Sequence, residues 1–282
     1  MLDFTNGRRK VRIGVLNVMP EAEKYMPVLE AIMPKNRCCL RWIRIANHPY
    51  RSSDRETIAK THVDFFTAMK EGLDAIFLTG APVDTIALAT VYYWEEVSSY
   101  LDLAYERGLS IFGICWGALA VGQHFFGLPV NNFHQKLYGV FKMKNLVVDH
   151  PAFVGLDDDF ACPQSRFAGF EDKAVIDAQK SGKLLALDYN SKTGFSSVVS
   201  SDLRIWMVQG HPEYPTDRLA KEYYRNQKRD SSTQKPINYN VLFPTNVWQT
   251  NGKILFNCWI KSIERLINFP LHLIIDLNLS KG

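Results

Sequence analysis

The sequence predicts an α/β fold, a mostly parallel sheet with helices on both faces. Three observations carry that prediction. Short runs rich in Ile, Val, Leu and Phe recur through the first half of the chain. Between them lie segments whose apolar residues fall at three- and four-residue steps, the spacing of one helix face. Strands without internal alternation are buried on both sides, which a parallel sheet requires and an open antiparallel one does not.

Taken in order, "VRIGVLNV" (11–18) reads as a buried strand and "EAEKYMPVLEAIM" as a helix with Pro27 at an awkward interior position. "CCLRWIRIA" (38–46) is a second strand, and "ETIAKTHVDFFTAMKEG" carries helical spacing throughout. "LDAIFLTG" (73–80) is a third strand, followed by the helix "YYWEEVSSYLDLAYERG", closed by Gly108. "LSIFGIC" is a fourth strand and "WGALAVGQHFFG" its helix. In the second half, "KLYGVFKMKNLVV" suggests an added strand pair and "DHPAFVGLDDDFACPQSRF" reads as loop. "KLLALDYN", "FSSVVSS" and "RIWMVQGHPEY" are additional short strands, "TDRLAKEYYRNQKRD" is a helix, and "GKILFNCWIKSIERLI" is the last. There is no internal repeat and no long linker, so a single domain is expected over 1–282, with its core at 10–265 and a C-terminal tail at 266–282.

Composition narrows the function classes. The 33 basic and 29 acidic residues leave a net charge of +4, spread along the chain, without the clustered basic face of a nucleic-acid binder. Five cysteines, one adjacent pair among them and no C-x-x-C, argue against a disulfide framework or structural zinc and for a reducing cytosol. The N-terminus lacks the pattern of a secretory signal. No apolar stretch reaches membrane-spanning length; the nearest, "FPLHLIIDLNL", is interrupted by His272 and Asp276 and reads as a packed or frayed terminal segment. The seven histidines (His48, His62, His124, His134, His150, His211, His272) and the "DDD" at 157–159 have no ligand spacing, so no metal and no bound cofactor is expected.

The chemistry concentrates where ligands bind in such sheets, beyond the C-terminal ends of the strands. "GICWGALA" (113–120) has the G-x-C-x-G spacing of a nucleophile elbow, in which Gly113 and Gly117 clear a sharp turn and Cys115 faces a helix N-terminus that favours thiolate. The same local sequence also suits a buried structural thiol. "QGHPEY" supplies the other half of a triad: His211 as base and Glu213 to orient it. An acyl-thioester route needs backbone oxyanion donors as well. Trp116 N–H is one candidate, and in "GAPV" Pro82 has no N–H, which leaves Val83 as the other.

At these residues the chain resembles the class I glutamine amidotransferase-like superfamily and, within it, the homoserine O-acyltransferases (homoserine O-acetyl/succinyltransferases). The resemblance covers roughly residues 10 to 265 and rests on "RIGVLNVMP", "TGAPVD" with "YYW", "ICWGALA", "KLYGVF", "GLDDDFACPQSR", "GHPEY" with "LAKEYYR", and "ILFNCWI". It implies a flavodoxin-like sheet and a ping-pong reaction of sulfur amino-acid biosynthesis in the cytoplasm. Cys115 would take an acyl group from acyl-CoA and the hydroxyl of L-homoserine would collect it. It further implies that Lys136, Ser165 and Arg225 hold substrate, and a homodimer is the expected assembly.

Three departures from the family pattern bear on specificity. Asp84 stands where the family has Gly for succinyl and Glu for acetyl donors. A carboxylate about 4 Å from succinyl's distal carboxylate costs roughly 4 kcal/mol at an effective dielectric near 20, about a thousandfold, so acetyl-CoA is the expected donor substrate. Gln164 replaces a family histidine in "PQSR", and "WQTN" (248–251) replaces W-R-S-H. Were Gln164 or Asn251 to line the acceptor site, L-serine would be the alternative acceptor, since one methylene discriminates by only about 1–3 kcal/mol. Two other function classes share the scaffold. A glutamine amidotransferase or amidohydrolase would use the same Cys-His-Glu set, though no Gln follows the nucleophile in "GICWGALA". A non-catalytic binding protein would keep full activity of its kind in Cys115→Ala.

Overall fold

The computed structural model describes residues 4–5 and 8–268. A short antiparallel ribbon, β1 (Phe4–Thr5) with β2 (Arg8–Arg9), precedes the sheet. Alternation of strand and helix then begins: β3 (Val11–Leu16), α1 (Ala22–Ile32), β4 (Cys38–Ile43), α2 (Arg55–Thr61), α3 (Phe65–Glu71), β5 (Ala75–Leu78), α4 (Trp94–Glu106), β6 (Ser110–Ile114) and α5 (Trp116–Phe126). The second half runs β7 (Val130–Asn145), β8 (Asp159–Phe170), α6 (Asp172–Lys180), β9 (Leu184–Ala186), β10 (Asp188–Tyr189), β11 (Ser197–Ser200), β12 (Ile205–Val208), α7 (Arg218–Gln227) and α8 (Gln249–Asn268).

The main sheet has the order β4-β3-β5-β6-β12-β11-β9. Its first five strands are parallel, and β11 and β9 join antiparallel at one edge. Side chains alternate across it as a pleated strand demands. Phe77, Phe112 and Trp206 enter the core shared with α1 and α8. Ile76, Ile111 and Met207 enter the opposite core, with α3, α4 and α5. Both faces are therefore covered, which is why these strands read as continuous apolar runs.

Three expectations are corrected. The segment 56–72 is two helices, because Asp64 caps α3 through Thr67 N–H at 2.9 Å and Val63 between them bridges to Ile43 at the sheet edge. The region 136–148 is not a strand pair: residues 136–145 belong to one 16-residue strand, β7, and 146–148 follow its end. Its partner is β8, in the segment read as loop; with β10 they form a second, antiparallel sheet. Helix α6 was not anticipated. The terminal run 269–279 lies outside the described residues.

Candidate active site

Cys115 sits directly after β6, with φ +52°, at the N-cap of α5. This left-handed conformation is costly for a residue with a side chain, on the order of 1–3 kcal/mol, and is held here by its surroundings. The Cys115 N–H donates to Val208 O at 2.8 Å, and Cys115 O receives the first turn of α5 from Ala118 N–H at 3.0 Å. The flanking glycines are required by space. A Cβ on Gly113 would stand 2.4 Å from Gly117 O, and one on Gly117 would stand 2.4 Å from Leu78 O.

Beyond β12 the chain turns back through His211, whose N–H donates to Pro163 O at 2.8 Å. The imidazole is bracketed by Glu213, with Nδ1 to Oε1 2.9 Å, and by the ring of Tyr214, stacked at 4.0 Å between centroids. That leaves Nε2 for the thiol, and Cys115 lies within electrostatic and hydrogen-bonding reach of the ring. Cys115, His211 and Glu213 are all buried. Burial works against the imidazolium, yet the Glu213 carboxylate and the sulfur of Cys115 together raise His211 above its ordinary value. The structure thus brings the three residues of the expected triad together.

The two expected oxyanion donors are both unengaged. Val83 N–H and Trp116 N–H, the latter in the first turn of α5, donate no hydrogen bond among the described residues. Asp84 follows Val83 and spans the cleft to β8, accepting Phe167 N–H through Oδ2 at 2.6 Å.

Lys136 and Ser165 meet at a residue that sequence reasoning missed. Glu222, buried on α7, accepts from Lys136 Nζ and from Ser165 Oγ, the latter at 2.8 Å. Burial disfavours its charge, but Lys136, Ser165 and Arg218 hold its carboxyl below the ordinary value. Lys136 is the last residue of an irregularity in which 133–136 of β7 have no register partner on β8, and its Nζ lies over the Tyr138 ring. Arg225 is not brought into this cluster: three residues past Glu222 it shares that helix face, but it is exposed and without a hydrogen bond among the described residues.

A second missed residue is Arg166, fully buried and bonded to Gln164 Oε1 (2.9 Å), Ala168 O (2.7 Å) and Thr193 O (2.7 Å). Burial pushes its guanidinium down to about 10, while Cys115, Cys162, Asp188 and Asp84 act to keep it charged. Both residues were inside quoted motifs. The available signals were a charged side chain on an alternating strand and a glutamate at helical spacing between Arg218 and Arg225.

The two substitutions that raised serine as an acceptor are both engaged in hydrogen bonds within the protein. Strand pleating puts Gln164 on the opposite face from Ser165, 0% exposed, with Nε2 donating to Ser196 Oγ at 2.9 Å. Asn251 donates to Ala161 O at 3.3 Å. Among the described residues no group of three His, Cys, Asp or Glu side chains is arranged to hold a metal ion, and no helix is long and apolar enough to cross a membrane.

A cysteine elbow at the end of a mostly parallel sheet, answered by a histidine after a later strand, defines the class I glutamine amidotransferase-like fold. A glutamine amidotransferase from Thermotoga maritima superposes with a TM-score of 0.60 at 12% identity, over 92% of this chain and 99% of that one. A glutamine amidotransferase from Methylobacillus flagellatus gives 0.59 at 11%, over 90% and 94%. At these identities the likeness shows the fold. Within that fold the chain belongs to the homoserine O-succinyltransferase family, whose pattern it matches over residues 4–266. It is 30% identical over 267 residues to the homoserine O-acetyltransferase of Cereibacter sphaeroides, covering 90% of this chain and 85% of that relative. With the homoserine O-acetyltransferase of Petrotoga mobilis it shares 29% over 259 residues, 89% and 83% of the two chains. The chain is accordingly a homoserine O-acyltransferase by family, and such enzymes take their acyl group from a CoA thioester as substrate.

Proposed function

We propose that this chain transfers acetyl from acetyl-CoA to the side-chain hydroxyl of L-homoserine through an acetyl-Cys115 intermediate, in cytoplasmic sulfur amino-acid synthesis. The single observation that supports the two-step route is the strained Cys115 elbow set against the His211–Glu213 pair. In the first step the Cys115 sulfur attacks the thioester carbonyl, the bond to the coenzyme A sulfur breaks, and His211 returns the proton to the departing thiolate. In the second, the acceptor hydroxyl gives its proton to His211 as its oxygen attacks the acetyl-cysteine, releasing the ester and restoring the thiol. Val83 and Trp116 N–H would hold the negative charge that forms on the carbonyl oxygen each time.

Donor choice rests on Asp84. Its Oδ2 accepts Phe167 N–H, which orients the carboxylate, and succinyl would bring a second carboxylate to it. For the acceptor, Glu222 offers a buried anion for an ammonium, with Lys136 and Arg218 beside it for a carboxylate. Gln164 is hydrogen-bonded to Ser196 Oγ and Arg166, and Asn251 to Ala161 O, so the choice of homoserine over serine rests on the family match. A thiol-release assay crossing acetyl- and succinyl-CoA with homoserine and serine tests both choices. The acetyl–homoserine pair should give the highest kcat/KM, with succinyl-CoA down by roughly 10²–10³-fold from charge repulsion. Preference for succinyl-CoA contradicts the role of Asp84, and preference for serine contradicts the acceptor assignment.

A further inference from the structure

A cleft of ≈ 310 Å³ opens beside the cysteine, at the C-terminal ends of β3, β4 and β5. Those strands are parallel and β5 neighbours β6, so the cleft and the Cys115 elbow lie on the same edge of the sheet. Two residues connect them. Val83, the expected oxyanion donor, lines the cleft, and so does Tyr93, whose ring meets Trp116 edge-on at 5.8 Å. The lining is predominantly apolar, with Ile86, Val91 and Tyr92 contributing. Its wall is packed: His48 lies between the rings of Tyr50 at 4.3 Å and Tyr93 at 4.9 Å, tilted at 59° to each, and the Tyr50 hydroxyl donates to Asn17 O at 2.8 Å.

Charge is found only on its rim side. Arg51 lines the cleft, is exposed, and makes no ion pair or hydrogen bond among the described residues. Burial lowers His48 to about 4, so the wall itself is neutral at physiological pH. The polar cluster of Lys136, Ser165 and Glu222 lies elsewhere, on β7, β8 and α7, and it contributes no residue to this cleft.

We propose that this cleft is the acyl-donor subsite: it holds the pantetheine arm of coenzyme A, with the nucleotide diphosphate at the mouth against Arg51 and the exposed ring of Tyr92. This inference rests on the acyl-CoA reading above and adds where the donor enters. The volume is at the small end of the range for small-molecule sites, about 300–1,000 Å³, which suits the arm alone and leaves the nucleotide outside. An apolar channel with uncharged walls matches an arm that carries two neutral amides and a gem-dimethyl group. An unpaired arginine at the rim matches the charge that follows it. Donor and amino acid would then reach the cysteine from different sides, coenzyme A leaving across β3–β5 while the hydroxyl approaches from β8 and α7.

Two variants test the placement without touching the triad, Ile86→Trp, which fills the cleft from a position 48% exposed, and Arg51→Glu. Each should raise the KM for acetyl-CoA and the Kd for coenzyme A, read by calorimetric titration, by about tenfold, the size of a reversed charge or a blocked arm in a water-exposed mouth. The KM for homoserine should stay within about twofold, since the acceptor does not pass through the cleft. With S-acetyl-N-acetylcysteamine, which has no phosphates, Arg51→Glu should match the wild type. Unchanged coenzyme A affinity in both variants, in a wild type that does turn over acetyl-CoA, overturns the placement and leaves acyl transfer standing. A wild type that neither binds coenzyme A nor uses acetyl-CoA overturns the acyl-transfer reading and this inference with it.

Discussion

Cys115 and His211 owe their chemistry to neighbours that act in opposite directions. Burial alone would make the imidazole a poor proton holder, and Glu213 reverses that, its Oε1 on Nδ1 and its whole charge inside the protein. Replacing the carboxylate by its neutral isostere therefore changes two things at once. Glu213→Gln should lower kcat by roughly 10²–10⁴-fold. It should also shift the apparent pKa of the residual activity downward, because the anion that raises His211 is gone. A pH–rate profile of the variant reads both, and an unshifted pKa would assign Glu213 a purely structural place. These three residues were legible in the sequence because their motifs are local. Glu222 and Arg166 were not, because each takes its meaning from partners far along the chain: Lys136 is 86 residues from Glu222, and Thr193 is 27 from Arg166. Gln164 is read the same way: one residue from Ser165 on a strand it takes the opposite face, where its partner is Arg166.

At the level of elements, the β6–α5 turn is a tight joint. The helix leaves the strand over Gly113 and Gly117, and the backbone of β5 closes on Gly117 from the side. Gly117→Ala should destabilise the protein by about 1–3 kcal/mol, measured by urea unfolding, and should displace the Cys115 elbow enough to depress activity in the fraction that folds. Stability equal to wild type would show that α5 can lift away from β5. The parallel strands were readable because burial on both faces makes them continuous apolar runs. The β7–β8 pair was not. The first half of β7 is largely exposed and carries no alternation, and β8 buries Gln164 and Arg166 on the side where a hydrophobic pattern would be sought. A strand whose inward face is polar for the sake of the site looks like a loop in sequence.

For the whole molecule, two buried charges at the site set opposite limits on stability with pH. Glu222 is held below its ordinary 4.5, so its contribution is present above that value and is lost as pH falls through the lowered one. His211 is raised from 6.5 to about 10, so its contribution is complete below 6.5 and is lost as pH rises toward 10. Both are whole between 4.5 and 6.5. Urea midpoints should therefore fall on either side of that window. The acid-side fall should flatten in Glu222→Gln and the alkaline-side fall in Glu213→Gln. A midpoint that keeps rising with pH through the alkaline range in the wild type would contradict the His211 assignment.

The central claim is that one sulfur carries the acyl group between two substrates. Intact-protein mass spectrometry of the chain mixed with acetyl-CoA and no acceptor tests it most directly. The account predicts a single acetyl on Cys115, absent in a folded Cys115→Ala variant and discharged on adding L-homoserine. Turnover with no covalent acetyl on the wild type, or an equal label on Cys115→Ala, would contradict it.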